Sequence, residues 1–353
     1  MIYLEIDFCT NNIEGSKVVA NKKKSLKRIR FNYFVPYLVD ITDNNANVRW
    51  NMKEFFDFIL NHKHSHDDLN TAVPLGDEIA DLEWNTVHFD VKNDLYYCQL
   101  SKNRSKDIPS KKKLNHNKVP LELEDDEYIG EFNLIVYDVR YSLLMVQSNF
   151  FGLTVKQIST TLSILRQRIK DAMNKSEKDN PKGITLGPLI DPSEISKVKK
   201  HKIYRKITIK GSDYNFAAAD DYKDLPLNKA IKHLGKIGGV NFNIELSMSR
   251  TARNKSLNAN QVREIIDEVL NIRENDTVDV EMSIASKANE EDPVDVVNLI
   301  EPRLTSEIVI AVENRTTIGS EYIYNNFCEQ SYLNAKDNMR EKASRVSGLT
   351  QES

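Results

Sequence analysis

The sequence predicts an α+β fold: mainly antiparallel sheets with packed helices, plus a small inserted α+β domain. Three observations predict it. Phe132–Val139 and Leu143–Gln147 are apolar, β-branched and aromatic runs parted near Asp138–Tyr141, the pattern of a β-hairpin. Thr154 with Gln157 three residues on forms a capping box before a helix whose Val155, Ile158, Leu162, Leu165, Ile169 and Met173 make one apolar stripe. Between residues 222 and 302, two strictly alternating runs each follow a helical pattern.

Taken in chain order, Ile2–Phe8 alternates like a half-buried strand, and Phe31–Asp40 reads as a second strand after a basic block of Lys22, Lys23, Lys24, Lys27, Arg28 and Arg30. Asn51 and Glu54 start a short helix bearing Met52, Phe55, Phe56, Ile59 and Leu60. His62, His64 and His66 end it in a polar loop, the reading favoured over a metal site because no fourth ligand is identified. Trp84–Phe89 and Tyr96–Leu100 read as strands, and Ser101–Pro120 as a mobile basic loop. Neither run of the central hairpin alternates cleanly, so both its faces are expected to be covered.

After the capped helix, Ile184–Ile190 leads through Asp191 and Pro192 to the strand His201–Lys210. Ile203, Ile207 and Ile209 share one face of it, with Arg205 interrupting. Lys202, Tyr204, Lys206, Thr208 and Lys210 share the other. Within 222–302, Pro226 opens a helix closed by Gly235. Val240–Met248 alternates, Asn260–Leu270 is helical, and Val278–Ile284 alternates again. Ser306–Val312 returns as a strand, and Ser320–Val346 reads as one long helix. Arg340, Lys342 and Arg345 near its end suit the negative pole of the helix dipole. The division is a main domain, 1–221 with 303–353, and an inserted domain, 222–302.

Length, apolar content and charge suit a soluble chain of up to two domains. No apolar run approaches the roughly 20 residues that span a bilayer, and Met1–Phe8 lacks a signal peptide's basic start. Cys9, Cys98 and Cys328 are odd in number and widely spaced, which suits inert thiols in a reducing cytoplasm. The formal net charge of -3 hides segregation. Basic blocks recur at 22–30, 102–118 and 197–210, and acid gathers at Glu122–Glu127 and Glu290–Asp295. Walker, dinucleotide, G-x-S-x-G and H-E-x-x-H motifs are missing. Asp125, Asp126 and Glu127, or Asp220 and Asp221, could hold Mg2+ as nucleases do, but a carboxylate pair is weak evidence.

The stretch from Asp125-Asp126-Glu127 and Ile129-Gly130 through the hairpin, Gly152 and the capped helix resembles the RexA-like phage-exclusion proteins. So do Gly187-Pro188-Leu189, the basic strand to Lys210, and the closing strand and helix. The resemblance covers about 125–348 by element order. It implies a homodimer, through the inserted domain, that binds double-stranded DNA without strong sequence preference. It also implies a fold related to the recombination-associated protein RdgC and a membrane effector as partner.

The expectation is therefore a cytoplasmic, non-enzymatic DNA-binding protein of anti-phage defence or prophage-encoded exclusion, with no cofactor and no metal. Lys199, Lys200, Lys202, Arg205, Lys206 and Lys210 are its expected phosphate contacts, and Lys111, Lys112 and Lys113 an auxiliary clamp. The alternatives are a protein-interaction subunit without nucleic-acid affinity, in which the basic blocks are solvated loops, and a metal-dependent nuclease.

Overall fold

The computed structural model describes residues 24–40, 47–62, 69–104, 106, 108–124, 127–176, 181–212, 241–248, 251–252, 254–275, 279–292, 294–300, 302–313 and 317–348. The expected strand Ile2–Phe8, the residues His64 and His66, the carboxylates Asp125, Asp126, Asp220 and Asp221, and the helix opened by Pro226 lie outside them. The architecture is α+β, with antiparallel sheets and packed helices, as expected.

A single long strand, β1 (Lys24–Asp40), organises the main sheet. The strands run β11-β1-β10-β9-β6-β4-β3, and β16 and β2 also pair with β1. Here β2 is Asn47–Arg49, β3 Ala72–Leu75, β4 Glu78–Leu82, β6 Leu95–Arg104, β9 Ile129–Asp138, β10 Leu143–Gln147, β11 Lys182–Pro188 and β16 Thr305–Glu313. The sequence reading began this strand at Phe31. The structure begins it at Lys24, because Lys24–Asn32 pairs residue for residue with β16 and Ile29 is buried against the same core as Ile308 and Ile310.

The central hairpin is β9 and β10, and all five residues of β10 are buried. Both faces are covered, as the unbroken apolar runs implied. One face packs Phe34, Tyr137, Leu144 and Val146 against α1 (Lys53–His62) and α2 (Val155–Ala172). The other packs Phe31, Tyr33, Val136 and Met145 against the C-terminal helices. The capping box is present: Gln157 N–H donates to Thr154 Oγ1 at 3.2 Å, and Thr154 N–H donates to Gln157 Oε1 at 3.0 Å. Ile158, Leu162, Leu165 and Ile169 then lie buried on the chain's own sheet.

Several expectations are corrected. Trp84–Thr86 is a 3-10 turn, not a strand, and only His88–Asp90 (β5) continues extended. Trp84 is buried, its indole N–H donating to Thr71 Oγ1 at 3.1 Å, and the turn closes with Val87 N–H donating to Trp84 O at 3.1 Å. Between Pro192 and His201 lies an unanticipated helix, α3 (Ser193–Lys200). The long last helix is broken into α5 (Ser320–Phe327), a π turn at Cys328–Tyr332, and α6 (Met339–Val346). Asn338 starts the second helix afresh: it is left-handed at φ 38° and its side chain caps α6 by accepting from Glu341 N–H. Arg340 therefore lies in the first turn of α6, where the helix dipole does not explain it.

A second sheet runs β13-β12-β14-β15, with β12 Ile203–Ser212, β13 Asn241–Ser247, β14 Asp279–Lys287 and β15 Asp295–Asn298. Helix α4 (Ala259–Asn275) covers one face, burying Val262, Ile266 and Val269 against Ile207, Ile209, Met282 and Ile284. The sequence division placed 203–212 with the main domain. The pairing joins those residues to β13 and β14.

Candidate nucleic-acid interface

The expected phosphate contacts fall into two groups, which the structure treats differently. On β12 the anticipated cationic row is interrupted. A bulge between Tyr204 and Lys206 adds Arg205 as an extra residue opposite β14. The bulge turns Tyr204 into the core with Ile207 and Ile209, so Tyr204 is not on the lysine face as expected. Arg205 points to the neighbouring loop and donates to the carbonyls of Ala252 and Lys255, each at 2.8 Å, and of Thr251 at 3.1 Å.

The lysines that remain outward face carboxylates. Lys206 pairs with Glu245 at 2.7 Å and Lys210 with Glu281 at 3.7 Å, each on an adjacent strand. Lys199 pairs with Asp267 and Lys202 donates to Asn289 at 3.4 Å. Lys199 and Lys200 sit in the last turn of α3, where cations complement exposed carbonyls. Lys200 is exposed and has no ion pair among the described residues. Burial pulls the His201 imidazole below its usual range, and its Nδ1 lies 2.8 Å from Ser286 Oγ.

The second group is arranged otherwise. Lys111–Lys112 (β7) and Lys118–Val119 (β8) form a two-stranded arm, so the expected loop carries its own hairpin. Its turn closes with His116 N–H donating to Lys113 O at 3.0 Å, and Asn115 is left-handed at φ 64°. Residues 109–120 are all exposed, and 108–120 contain Lys111, Lys112, Lys113 and Lys118 but no carboxylate. Lys112 stands directly opposite Lys118 in the ladder. Like charges so placed repel. None of the four lysines has an ion pair among the described residues, although acid is close in sequence at Glu122–Glu127.

The arm leaves the sheet at one end. It is inserted between β6 and β9, whose last pairing is Arg104 with Ile129. At the same end β10 stops at Gln147 while its neighbours continue, β1 through Lys24–Arg30 and β9 through Ile129–Asn133. Ser148–Gly152 fills the resulting notch and is tied to both sides. Ser148 N–H donates to Arg30 O at 2.7 Å, and Asn149 Nδ2 donates to Phe132 O at 2.9 Å. On its outer side the turn presents Phe150 and Phe151. The sequence reading assigns these two no role. Two adjacent aromatics before a glycine and a helix cap were the signal it did not use.

Some cations near this end are already engaged. Lys102 pairs with Glu78 at 2.9 Å and holds that carboxyl below its usual range, and Lys106 pairs with Asp77 at 2.6 Å. Arg30 pairs with Glu307 at 2.9 Å and Asp295 at 3.4 Å, and Arg28 reaches Glu307 at 3.9 Å. Among the described residues, no group of three or more His, Cys, Asp and Glu side chains is arranged to hold a metal. No helix there is long and apolar enough to cross a membrane.

A sequence family of unknown function, DUF6731, matches residues 24–342, most of the chain, and the chain belongs to that family. No curated protein matches it.

Proposed function

We propose that this member of the DUF6731 family binds double-stranded DNA through its phosphates, without sequence preference, in the cytoplasm. The observation that carries the reading is Lys112 opposite Lys118 on a fully exposed arm that holds four lysines and no carboxylate. Such an arm is unfavourable in itself and is relieved by a polyanion. The order of importance is the reverse of the sequence expectation. Lys111, Lys112, Lys113 and Lys118 are the main contacts, with Lys200 exposed at the end of α3. Lys199, Lys202, Arg205, Lys206 and Lys210 are secondary, since each already has a partner.

A role in phage exclusion, a homodimer and a membrane effector rest on the RexA resemblance alone. The neutralised face of β12 favours a second reading, a protein-interaction subunit without nucleic-acid affinity.

Fluorescence anisotropy with a random duplex, repeated across salt concentrations, separates the two. The first reading expects saturable binding that weakens linearly in log salt. Changing the four arm lysines to alanine should flatten the slope by about 0.9 per lost phosphate contact. Absence of binding at low salt overturns it and leaves the interaction subunit.

A further inference from the structure

We infer that the Phe150–Phe151 turn is an apolar wedge that enters between stacked base pairs of the duplex held by the arm. The inference rests on the duplex-binding reading above and adds a mode of recognition to it. The two side chains are 91% and 64% exposed, and their rings meet edge to face with centroids 5.1 Å apart. Isolated apolar residues are ordinary on a protein surface. Two adjacent phenylalanines held outward on a fixed backbone are not.

The backbone is fixed from several directions. Asn149 Oδ1 accepts from Phe151 N–H at 3.2 Å, and Gly152 N–H donates to Asn149 O at 3.1 Å. Leu153 N–H donates at 2.7 Å to the buried Asn133, whose Nδ2 donates to Gln147 O at 2.9 Å. The chain on both sides of the aromatic pair is thus anchored in the sheet, and the rings meet their ligand without first having to be ordered.

The surroundings select the ligand. Phe132, which anchors Asn149, is three residues along β9 from Ile129, where the arm leaves. That is about 10 Å at 3.3 Å per residue. On the other side Ser148 is bonded to β1, whose exposed Lys27 has no ion pair among the described residues. One carboxylate is bonded to the turn: Glu131 on β9 accepts from Asn149 Nδ2 at 3.2 Å. An apolar projection on the sheet end that carries the lysine arm and the exposed Lys27 suits a ligand with an anionic backbone and flat apolar faces. A duplex offers both, and wedge residues of this type part base steps in other architectures. Leu114 at the arm's tip is a further exposed apolar side chain, 85% exposed.

The test uses the full chain and a short mixed-sequence duplex containing one 2-aminopurine, read by anisotropy for binding and by 2-aminopurine emission for unstacking. Wild type should raise the emission at saturation. Phe150→Ala with Phe151→Ala should still saturate, about tenfold more weakly, with its salt slope kept and the emission rise lost. The arm variant should do the converse, losing slope while keeping the rise once saturated. Equal affinity and an equal rise in the phenylalanine variant overturn the wedge and leave duplex binding standing. Failure of every form to bind the duplex overturns both. Dependence on the two phenylalanines only for sedimentation with phosphatidylserine vesicles overturns the wedge in favour of a membrane contact. The substituted side chains are exposed, so thermal melting of the variant should match wild type.

Discussion

Asp138 and Arg340 form a buried ion pair that joins the turn of the central hairpin to the first turn of the last helix. Arg340 Nε donates to Asp138 Oδ2 at 2.8 Å, and Nη2 donates to Oδ1 at 3.2 Å and to Asn93 O at 2.8 Å. Tyr332 OH donates to the same carboxylate at 2.6 Å, as do the N–H groups of Arg140 at 3.0 Å and Tyr141 at 3.3 Å. Burial alone would lower the pKa of Arg340, and Asp138 more than reverses it. The Asp138 side chain is fully buried, so these donors replace the water it has lost.

Arg340→Leu should therefore cost about 3–5 kcal/mol, because it strands a buried carboxylate. Tyr332→Phe should cost about 1–2 kcal/mol, one charge-assisted hydrogen bond. Urea unfolding followed by circular dichroism measures both. A loss below about 1 kcal/mol for Arg340→Leu would mean that the remaining donors and entering water satisfy the carboxylate.

Gly152 is a position where only the absence of a side chain fits. A Cβ there would lie 2.4 Å from Asn133 Oδ1 and 3.0 Å from Asn133 Cγ. Asn133 cannot swing away without releasing Leu153 N–H and Gln147 O. Gly152→Ala should destabilise by about 1–3 kcal/mol and disturb the Phe150–Phe151 turn, read as a lower urea midpoint at unchanged m-value.

Much of this frame was legible, for physical reasons that differ by element. The capping box of α2 is local chemistry, so Thr154 and Gln157 announce it in sequence. The double burial of β10 shows as unbroken hydrophobicity. The first half of β1 was not legible, since Lys27, Arg28 and Arg30 conceal a strand whose pairing with β16 lies far away in the chain. Helix α3 buries only Val198, too little to leave a stripe. The bulge at Arg205 reverses the alternation that placed Tyr204 among lysines. The arm's lysines were plain from composition, but the opposition of Lys112 to Lys118 depends on a register set by the turn.

Glu54 links α1 to the end of α2 and the segment after it by accepting from Lys170 and Lys175, each at 2.7 Å, and these partners lower its pKa to about 2. Its folded pKa lies below the unfolded value, so its contribution is complete above about pH 4.5 and is lost as pH falls toward 2. Glu54→Gln should cost below about 1 kcal/mol at pH 7, since the pairs are exposed and screened. The difference in urea midpoint between the two proteins should shrink steadily from pH 5 to pH 2. A gap that stays constant across that range would assign the loss to packing, not charge.

The β12 lysines give the sharpest contrast with the arm. Lys206 and Lys210 each face a glutamate on a neighbouring strand, so removing them exposes Glu245 and Glu281 as well as deleting two cations. Lys206→Ala with Lys210→Ala should leave the salt slope of duplex binding within about one unit of wild type, whereas the four-lysine arm variant lowers it by up to about 3–4. Glu245→Gln with Glu281→Gln, both lysines kept, then tests the reason. If the lysines are silent because they are neutralised, Lys206 and Lys210 with both glutamates removed should bind DNA more tightly than wild type. Unchanged affinity in that variant would place the whole face of the second sheet away from the duplex.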